Sequence, residues 1–530
     1  MKVFQNLWGN GITGGEVMKN VTAVFWYAVT VCGLFVLWGV FAPSNLETVS
    51  SQVTAFISKR FGWYYLLLFV VIFAFCVYLT FSKFGKLKLG KESDQPSFSL
   101  PTWFAMLFSA GMGMGMVFWT TSEPISHAYK SSPNAELGTD LAIKESLQYS
   151  YFHWGVSAWA IYGIVALVLA YFKFHKGYPG LISATLVPLL GEERMKGILG
   201  KLIDTLAVFA TVVGVAATLG FGSAQINEGL SFLFSVPSNY RVQMIILGVS
   251  TVLFIISAYS GIHRGIKYLS NINMGLGFAL LILLFIVGPT LTILNMFTNS
   301  LGNYLTNFVD MSFRIAPLNE ENRGWINSWT IFYWAWWISW SPFVGIFIAR
   351  ISKGRTLREF MAGVLIVPSL VCFIFFAVFG VSALELEQSG VADISQYALE
   401  TATFGMLQHY PLGTLMSFIT VFVIAIFFIT SADSATFVLG MLTSKGSLEP
   451  TSMVKIVWGV MLSFVAGIIV YFGGTQGLQN ILIISALPFS VVLLLMCGSF
   501  YKAASNELKN EKELTKKHKW KREVASSTSE

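Results

Sequence analysis

The stretch WTIFYWAWWISWSPF, residues 329–343, gathers five of the chain's sixteen tryptophans into fifteen residues, with Phe332, Tyr333 and Phe343 among them. A tryptophan-rich helix means different things in water, in lipid and around a ligand, so the solvent has to be settled first. The 530 residues are 55% hydrophobic and 12% charged with a mean hydropathy of +0.66, and long apolar runs recur from about residue 21 to residue 501. That is the composition of an integral membrane protein. A bilayer core of about 30 Å asks for roughly 20 apolar residues per spanning helix. Twelve segments meet or approach that length: 21–42, 63–82, 103–127, 148–173, 202–230, 241–260, 270–297, 327–349, 359–383, 411–442, 453–473 and 475–500. The first lacks the short apolar region and cleavage site of a signal peptide and reads as a true helix.

The predicted fold is an all-α polytopic membrane protein. Its parts are a cytoplasmic N-terminus (1–20), two leading spans with a linker (21–102), five spans (103–297), an extracellular connecting segment (298–326), five more spans (327–500) and a basic cytoplasmic tail (501–530). With the N-terminus inside, the loops on that side and both tails hold 27 of the 34 Lys and Arg residues, against seven outside, which fits the positive-inside rule. The net charge of +7 therefore needs no nucleic acid. The tail from Lys502 to Arg522 can touch anionic lipid or simply be solvated, and Glu507, Glu511, Glu513 and Glu523 weaken the lipid reading. Cys32, Cys76, Cys372 and Cys497 all lie in apolar spans without paired spacing and read as small core residues.

The chain carries no GxxxxGK[ST] phosphate loop and no HExxH zinc helix, and its six histidines are scattered. Nothing looks built for ATP hydrolysis or metal catalysis. Irregular backbone at membrane depth, which must be buried in protein or line a cavity, is the remaining signal. In SAGMGMGMVFW (109–119), Gly111, Gly113 and Gly115 fall at alternate positions. Gly111 with Gly115 can let two helices approach closely. Three glycines at every second residue fit a flexible or unwound segment better, because i and i+2 point to different sides of a helix. The second irregularity is the tryptophan stretch itself, ending at Ser341-Pro342, where proline removes a donor. It lies five spans after the glycine run, and an odd separation inverts direction, so spans three to seven and eight to twelve make two inverted repeats of five, each opening on an interrupted helix.

One or two tryptophans here would be interfacial by default, and Trp329 and Trp334 fit that reading. Trp336, Trp337 and Trp340 differ, since 336/340 and 337/340 are i,i+4 and i,i+3 neighbours that share a helix face. Stacked rings attract a cation with about 2 kcal/mol or more each when desolvated, and a quaternary ammonium suits such a cage; a packing stripe is the alternative. In HWGVSAWAIY (153–162), Trp154 and Tyr162 lie two turns apart with Trp159 between them. His153 reads as a packed or hydrogen-bonded residue rather than a proton carrier. No acidic residue is obvious near either cluster, so a zwitterion that carries its own carboxylate fits better than a bare cation.

FYWAWWISWSPF followed by IARISKGRTLREF resembles the signature of the betaine/choline/carnitine transporter (BCCT) family, sodium-coupled glycine betaine carriers in particular, and the likeness runs from the first span to the twelfth. The resemblance implies the LeuT-type fold: two leading helices, then two inverted five-helix repeats, in a cell-membrane protein with both termini cytoplasmic that can assemble as a trimer. It implies a cage of Trp336, Trp337 and Trp340 with Phe332 beside it, and Trp154, Trp159 and Tyr162 along the access path; the glycine run, Gly111, Gly113 and Gly115, completes the substrate site. Similar choline carriers often have Asp where this chain has Gly115, and the neutral residue points to a betaine-type zwitterion. No cofactor is implied beyond sodium as the coupling ion. Its first site, by the same resemblance, uses backbone oxygens at Ser109, Met112 and Phe427 with the hydroxyls of Thr430 and Ser431; such hydroxyls also bond to the preceding helical turn. A second site uses two threonines near Phe343, and here those positions read Thr211 and Val215, so one oxygen is missing. Sodium-independent relatives carry a Met just after the Trp motif and an Arg in the seventh span; this chain has Val344 and no Arg in 270–297. The expected function is sodium-coupled import of a quaternary-ammonium solute, glycine betaine first. A choline, carnitine or ectoine carrier, proton-driven or not, is the alternative, and a receptor or enzyme the remote one.

Overall fold

The computed structural model describes residues 21–111, 113–260 and 263–527; within these ranges, the side chains at 108–114, 260–267, 511 and 514–527 lie outside the description. Among the described residues the chain is helical without a β-strand, apart from one isolated bridge between Lys88 and Thr356. In chain order the long helices are α1 (Ala23–Phe41), α2 (Pro43–Phe81), α3 (Leu100–Gly111), α4 (Gly113–Ile125), α5 (Asp140–Trp154), α6 (Val156–Ala170), α7 (Ile198–Phe234), α8 (Tyr240–Ser260), α9 (His263–Val287), α10 (Thr290–Phe313), α11 (Phe332–Ile351), α12 (Leu357–Phe375), α13 (Gly413–Thr443) and α14 (Ser452–Ser527). Ten stretches of the described residues are long and apolar enough to cross a membrane, so the protein is multi-pass.

Burial sorts these stretches into inner and outer ones. In the most apolar windows of Asp140–His175 and Glu320–Ile351, 94% of residues are buried, and 83% in Ile198–Phe234. In Tyr240–Tyr259 and Tyr268–Val287 the share is 22%. Apolar surface gains nothing by leaving lipid, so the outer helices keep Leu, Ile and Val facing out, while the inner ones carry the aromatic and small residues that pack against each other. The inner helices are those that hold the tryptophan stretch and HWGVSAWAIY.

Several boundaries differ from the sequence reading. The stretch read as one span over 270–297 ends at Val287, because Gly288-Pro289 stops the helix. A separate helix, α10, follows, and buries Ile293, Ser300, Tyr304 and Met311, spaced seven, four and seven residues apart along one helix face, against α5 and α2. α11 is not interrupted at Pro342: the Ser341 hydroxyl donates to the Ile338 carbonyl at 2.8 Å, the acceptor that proline's missing N–H leaves open. The irregular turn lies earlier, as a π-helical turn at Asn327–Ile331. The break that sequence reading missed is Gly155, between α5 and α6, with φ −89° and ψ −148°. A β-carbon there would stand 2.5 Å from the Tyr151 carbonyl oxygen and 2.9 Å from both Phe373 and the Tyr304 hydroxyl. Near the C-terminus, Gly474 departs from helical angles (φ 50°) and divides α14.

Candidate functional site

α11 presents the aromatic core of the site. Trp336 and Trp337 lie almost parallel, with ring centroids 5.3 Å apart and planes 7° from each other, and Tyr333 continues the stack at 5.7 Å from Trp337. Phe332 lies 5.6 Å from Trp336. From α5, Trp154 meets Trp337 edge-on at 4.9 Å, and from α6 Tyr162 does so at 6.0 Å, with Trp159 a further 5.6 Å from Tyr162. The break at Gly155 lets consecutive residues of one chain segment leave the helix line here, so Trp154 and the α6 residues approach the stack from different directions. All of these rings are buried. Trp340 departs from the expected trio: its described ring contact is edge-on with Phe343, at 5.5 Å, not with Trp336 or Trp337. It leans instead on the bare backbone of Gly214 in α7, where a β-carbon would stand 2.7 Å from its ring and 3.2 Å from the Ser339 carbonyl oxygen.

Of the glycine run, Gly115 is the described member, and it faces the stack. Its missing β-carbon would stand 3.0 Å from Trp154 and 3.5 Å from Trp336. The backbone is helical at Gly111, Gly113 and Gly115; Met112 and the side chain of Ser109 lie outside the described residues. The expected unwinding of the run is therefore not seen at those three glycines.

The expectation that no acid lies near the aromatic clusters is overturned by Glu123. This fully buried residue of α4 accepts hydrogen bonds at Oε2 from Trp154 Nε1 (2.9 Å) and the Tyr333 hydroxyl (2.5 Å). Its Oε1 faces His153 Nδ1 at 2.7 Å and His127 Nε2 at 3.3 Å. His153 Nε2 lies 3.0 Å from the Thr330 hydroxyl, which can donate or accept, and the His153 main-chain carbonyl accepts from Trp337 Nε1 at 3.0 Å. Glu123 sits about 200 residues from the tryptophan stretch, and a lone acid in a span carries no periodic signal; only its rarity at membrane depth could have flagged it. Trp119, which packs against Trp329, Phe332, Tyr333 and Trp336, was missed for the opposite reason, as one aromatic among many.

The Glu123, His127 and His153 ligand atoms lie within 4.8 Å of one another. The 2.7 Å separation of Oε1 and His153 Nδ1 is a hydrogen bond, shorter than the ~3.3 Å between two ligands on one tetrahedral zinc. The arrangement is a hydrogen-bond hub. In the expected sodium sites, Thr430 donates to the Ile426 carbonyl at 2.9 Å and Thr211 to the Ala207 carbonyl at 2.7 Å, each within its own helix. Phe427 and Ser431 are half-buried, and Phe343 is buried.

Some buried donors remain open. The indole N–H groups of Trp336 and Trp340 have no partner among the described residues. Parallel indoles with unspent donors nearby offer the two chemistries a methylated zwitterion needs, π-faces for the cation and N–H groups for the anion. Residues 23–509 match the BCCT family, described as betaine/carnitine/choline family transporters. The chain belongs to that family. It is 53% identical over 500 residues to the glycine betaine transporter OpuD of Bacillus subtilis, covering 94% of this chain and 98% of that one. It is 43% identical to an ectoine/hydroxyectoine transporter of Virgibacillus pantothenticus (91% and 96% covered), and 42% identical to a probable glycine betaine transporter of Desulfitobacterium hafniense (93% and 99%). This BCCT protein is thus a membrane transporter and not an enzyme, and its family implies a small zwitterionic substrate.

Proposed function

We propose that this transporter imports glycine betaine by sodium symport with alternating access. The observation that carries the substrate is the parallel pair Trp336 and Trp337 with the free N–H of Trp336 beside them. A trimethylammonium group has no donors and is held by ring faces, at about 2 kcal/mol per desolvated contact. A carboxylate on the same molecule takes the indole N–H groups of Trp336 and Trp340. The relative named as a glycine betaine transporter at 53% identity supports this choice, and the ectoine/hydroxyectoine relative at 43% makes ectoine, also a zwitterion, the second reading. Glycine at 115, rather than an acid, supports a ligand that brings its own negative charge.

The proposed architecture has twelve spans in two inverted repeats after α1 and α2, with both termini cytoplasmic. α3 with α4 supplies the third span, and α14, divided at Gly474, supplies the last two, which brings the ten long stretches to twelve. Sodium is held by the hydroxyls of Thr430 and Ser431 with backbone oxygens near Phe427, Ser109 and Met112; a second site at Thr211 is weakened by Val215. The test is uptake of labelled glycine betaine, ectoine, carnitine and choline into proteoliposomes with and without a sodium gradient. Accumulation of the zwitterion that collapses without sodium is expected. Uptake driven equally by a proton gradient alone overturns the coupling, and accumulation of choline but not of glycine betaine overturns the substrate.

A further inference from the structure

We propose that Glu123 is a positioning residue that supplies the remote counter-charge of the cage, acting on a bound quaternary ammonium through Trp154 and Tyr333 without touching it. The inference rests on the cage reading above and goes beyond it to a residue outside the aromatic stack. Two donors, Trp154 Nε1 and the Tyr333 hydroxyl, and two imidazole nitrogens, of His153 and His127, converge on the carboxyl group. An ionised carboxylate has about four lone-pair sites, so it can accept from all four when each imidazole turns an N–H toward it. Among the described residues no Lys or Arg pairs with it; the titratable groups beside it are those two histidines. A carboxylate buried without a fixed cation is costly and is kept where its charge is used.

Two physical effects reach the cage. A ring that donates its N–H or O–H to a carboxylate gains electron density, and a richer π-face attracts a cation more strongly. The same bonds fix geometry, since Glu123 holds Trp154 and Tyr333 directly. Two rings from two helices are thereby set by one side chain of a third. Tyr333, tied to the hub, stacks on Trp337 of the parallel pair, while Trp336 and Trp340 keep unpartnered N–H groups for the anion.

Charge and geometry separate in two variants. Glu123→Gln keeps the length and an accepting oxygen for Trp154 and Tyr333 but removes the charge; Glu123→Asp keeps the charge on a shorter arm. Glycine betaine uptake is measured for both in proteoliposomes, with the dissociation constant from tryptophan quenching. A counter-charge role gives a KM and Kd raised about tenfold in Glu123→Gln with kcat within twofold, and a smaller loss in Glu123→Asp. The reverse order, with Glu123→Gln close to the parent and Glu123→Asp the weaker, overturns the proposal, because packing alone prefers the isostere. Should neither variant insert, Tyr333→Phe, which deletes one donor and keeps the ring, is expected to raise Kd about threefold, and an unchanged Kd overturns the proposal. Parent uptake separates the two levels: a parent that accumulates no glycine betaine sinks the function itself, and this inference with it, whereas a transporting parent with unaltered Glu123 variants sinks this inference alone.

Discussion

Trp336 and Trp340 are large residues of one helix with different surroundings, and their replacements should differ accordingly. Trp336→Phe keeps a ring in the stack and deletes the unpartnered N–H, so glycine betaine Kd is expected to rise severalfold while binding of choline, which has no carboxylate, stays near the parent value; fluorescence titration with both ligands checks it. Trp340→Leu removes the second free indole N–H proposed for the carboxylate, and loss of a hydrogen bond to a charged group, about 1.5–3 kcal/mol, predicts at least a tenfold fall in uptake at low substrate. Unchanged uptake in a correctly inserted Trp340→Leu protein would assign that ring to packing against Gly214 and Phe343. At this scale the aromatic residues were legible, because three indoles within five positions leave few spacings to choose from. Glu123 was not: its role depends on Trp154, 31 residues away, and on Tyr333, 210 residues away, and such pairings exist only after the helices pack.

Helices were legible as apolar runs, but their interruptions were not. Proline 342 looked like a break and is not one, because Ser341 supplies the missing donor; Gly155 looked unremarkable and divides α5 from α6, because Tyr151, Phe373 and Tyr304 fill the space a side chain would need. Gly155→Ala is therefore expected to cost about 1–3 kcal/mol of stability through overpacking, seen as a lower melting temperature in detergent, and to weaken substrate binding by displacing Trp154. A melting curve and Kd equal to the parent's would show that the break tolerates a methyl group. α13 carries the test of coupling. Thr430→Ala with Ser431→Ala removes two oxygens while leaving the rings whole, so sodium activation should move to much higher concentration and glycine betaine binding should weaken at fixed sodium. By linkage, each ligand must change the other's affinity by the same factor. A sodium curve identical to the parent's would remove these hydroxyls from the ion site.

Across the whole molecule, the C-terminal part of the last helix meets two distant segments through one acidic side chain. Glu507 accepts from the Tyr171 hydroxyl at 2.6 Å and pairs with Lys176 at 2.7 Å and His175 at 2.5 Å, while His175 Nδ1 meets the Gly90 carbonyl at 2.8 Å. Three chain segments far apart in sequence meet there. Glu507→Ala should speed hydrogen exchange around residues 500–510 by about tenfold or more, roughly 1.4 kcal/mol of local stability, and leave exchange in α11 unaltered. Equal exchange in the two proteins would mean that apolar packing alone holds the helix down.

The contact of α7 with α11 differs in kind from that fastening. At Gly214 the main chain of α7, bare of a side chain, closely approaches Trp340, while Phe221 of the same helix packs against Phe332 and Trp336 of α11. The two helices touch there with no space left between backbone and ring, so a single methyl group placed at Gly214 would act as a wedge in the joint and push α11 away from α7.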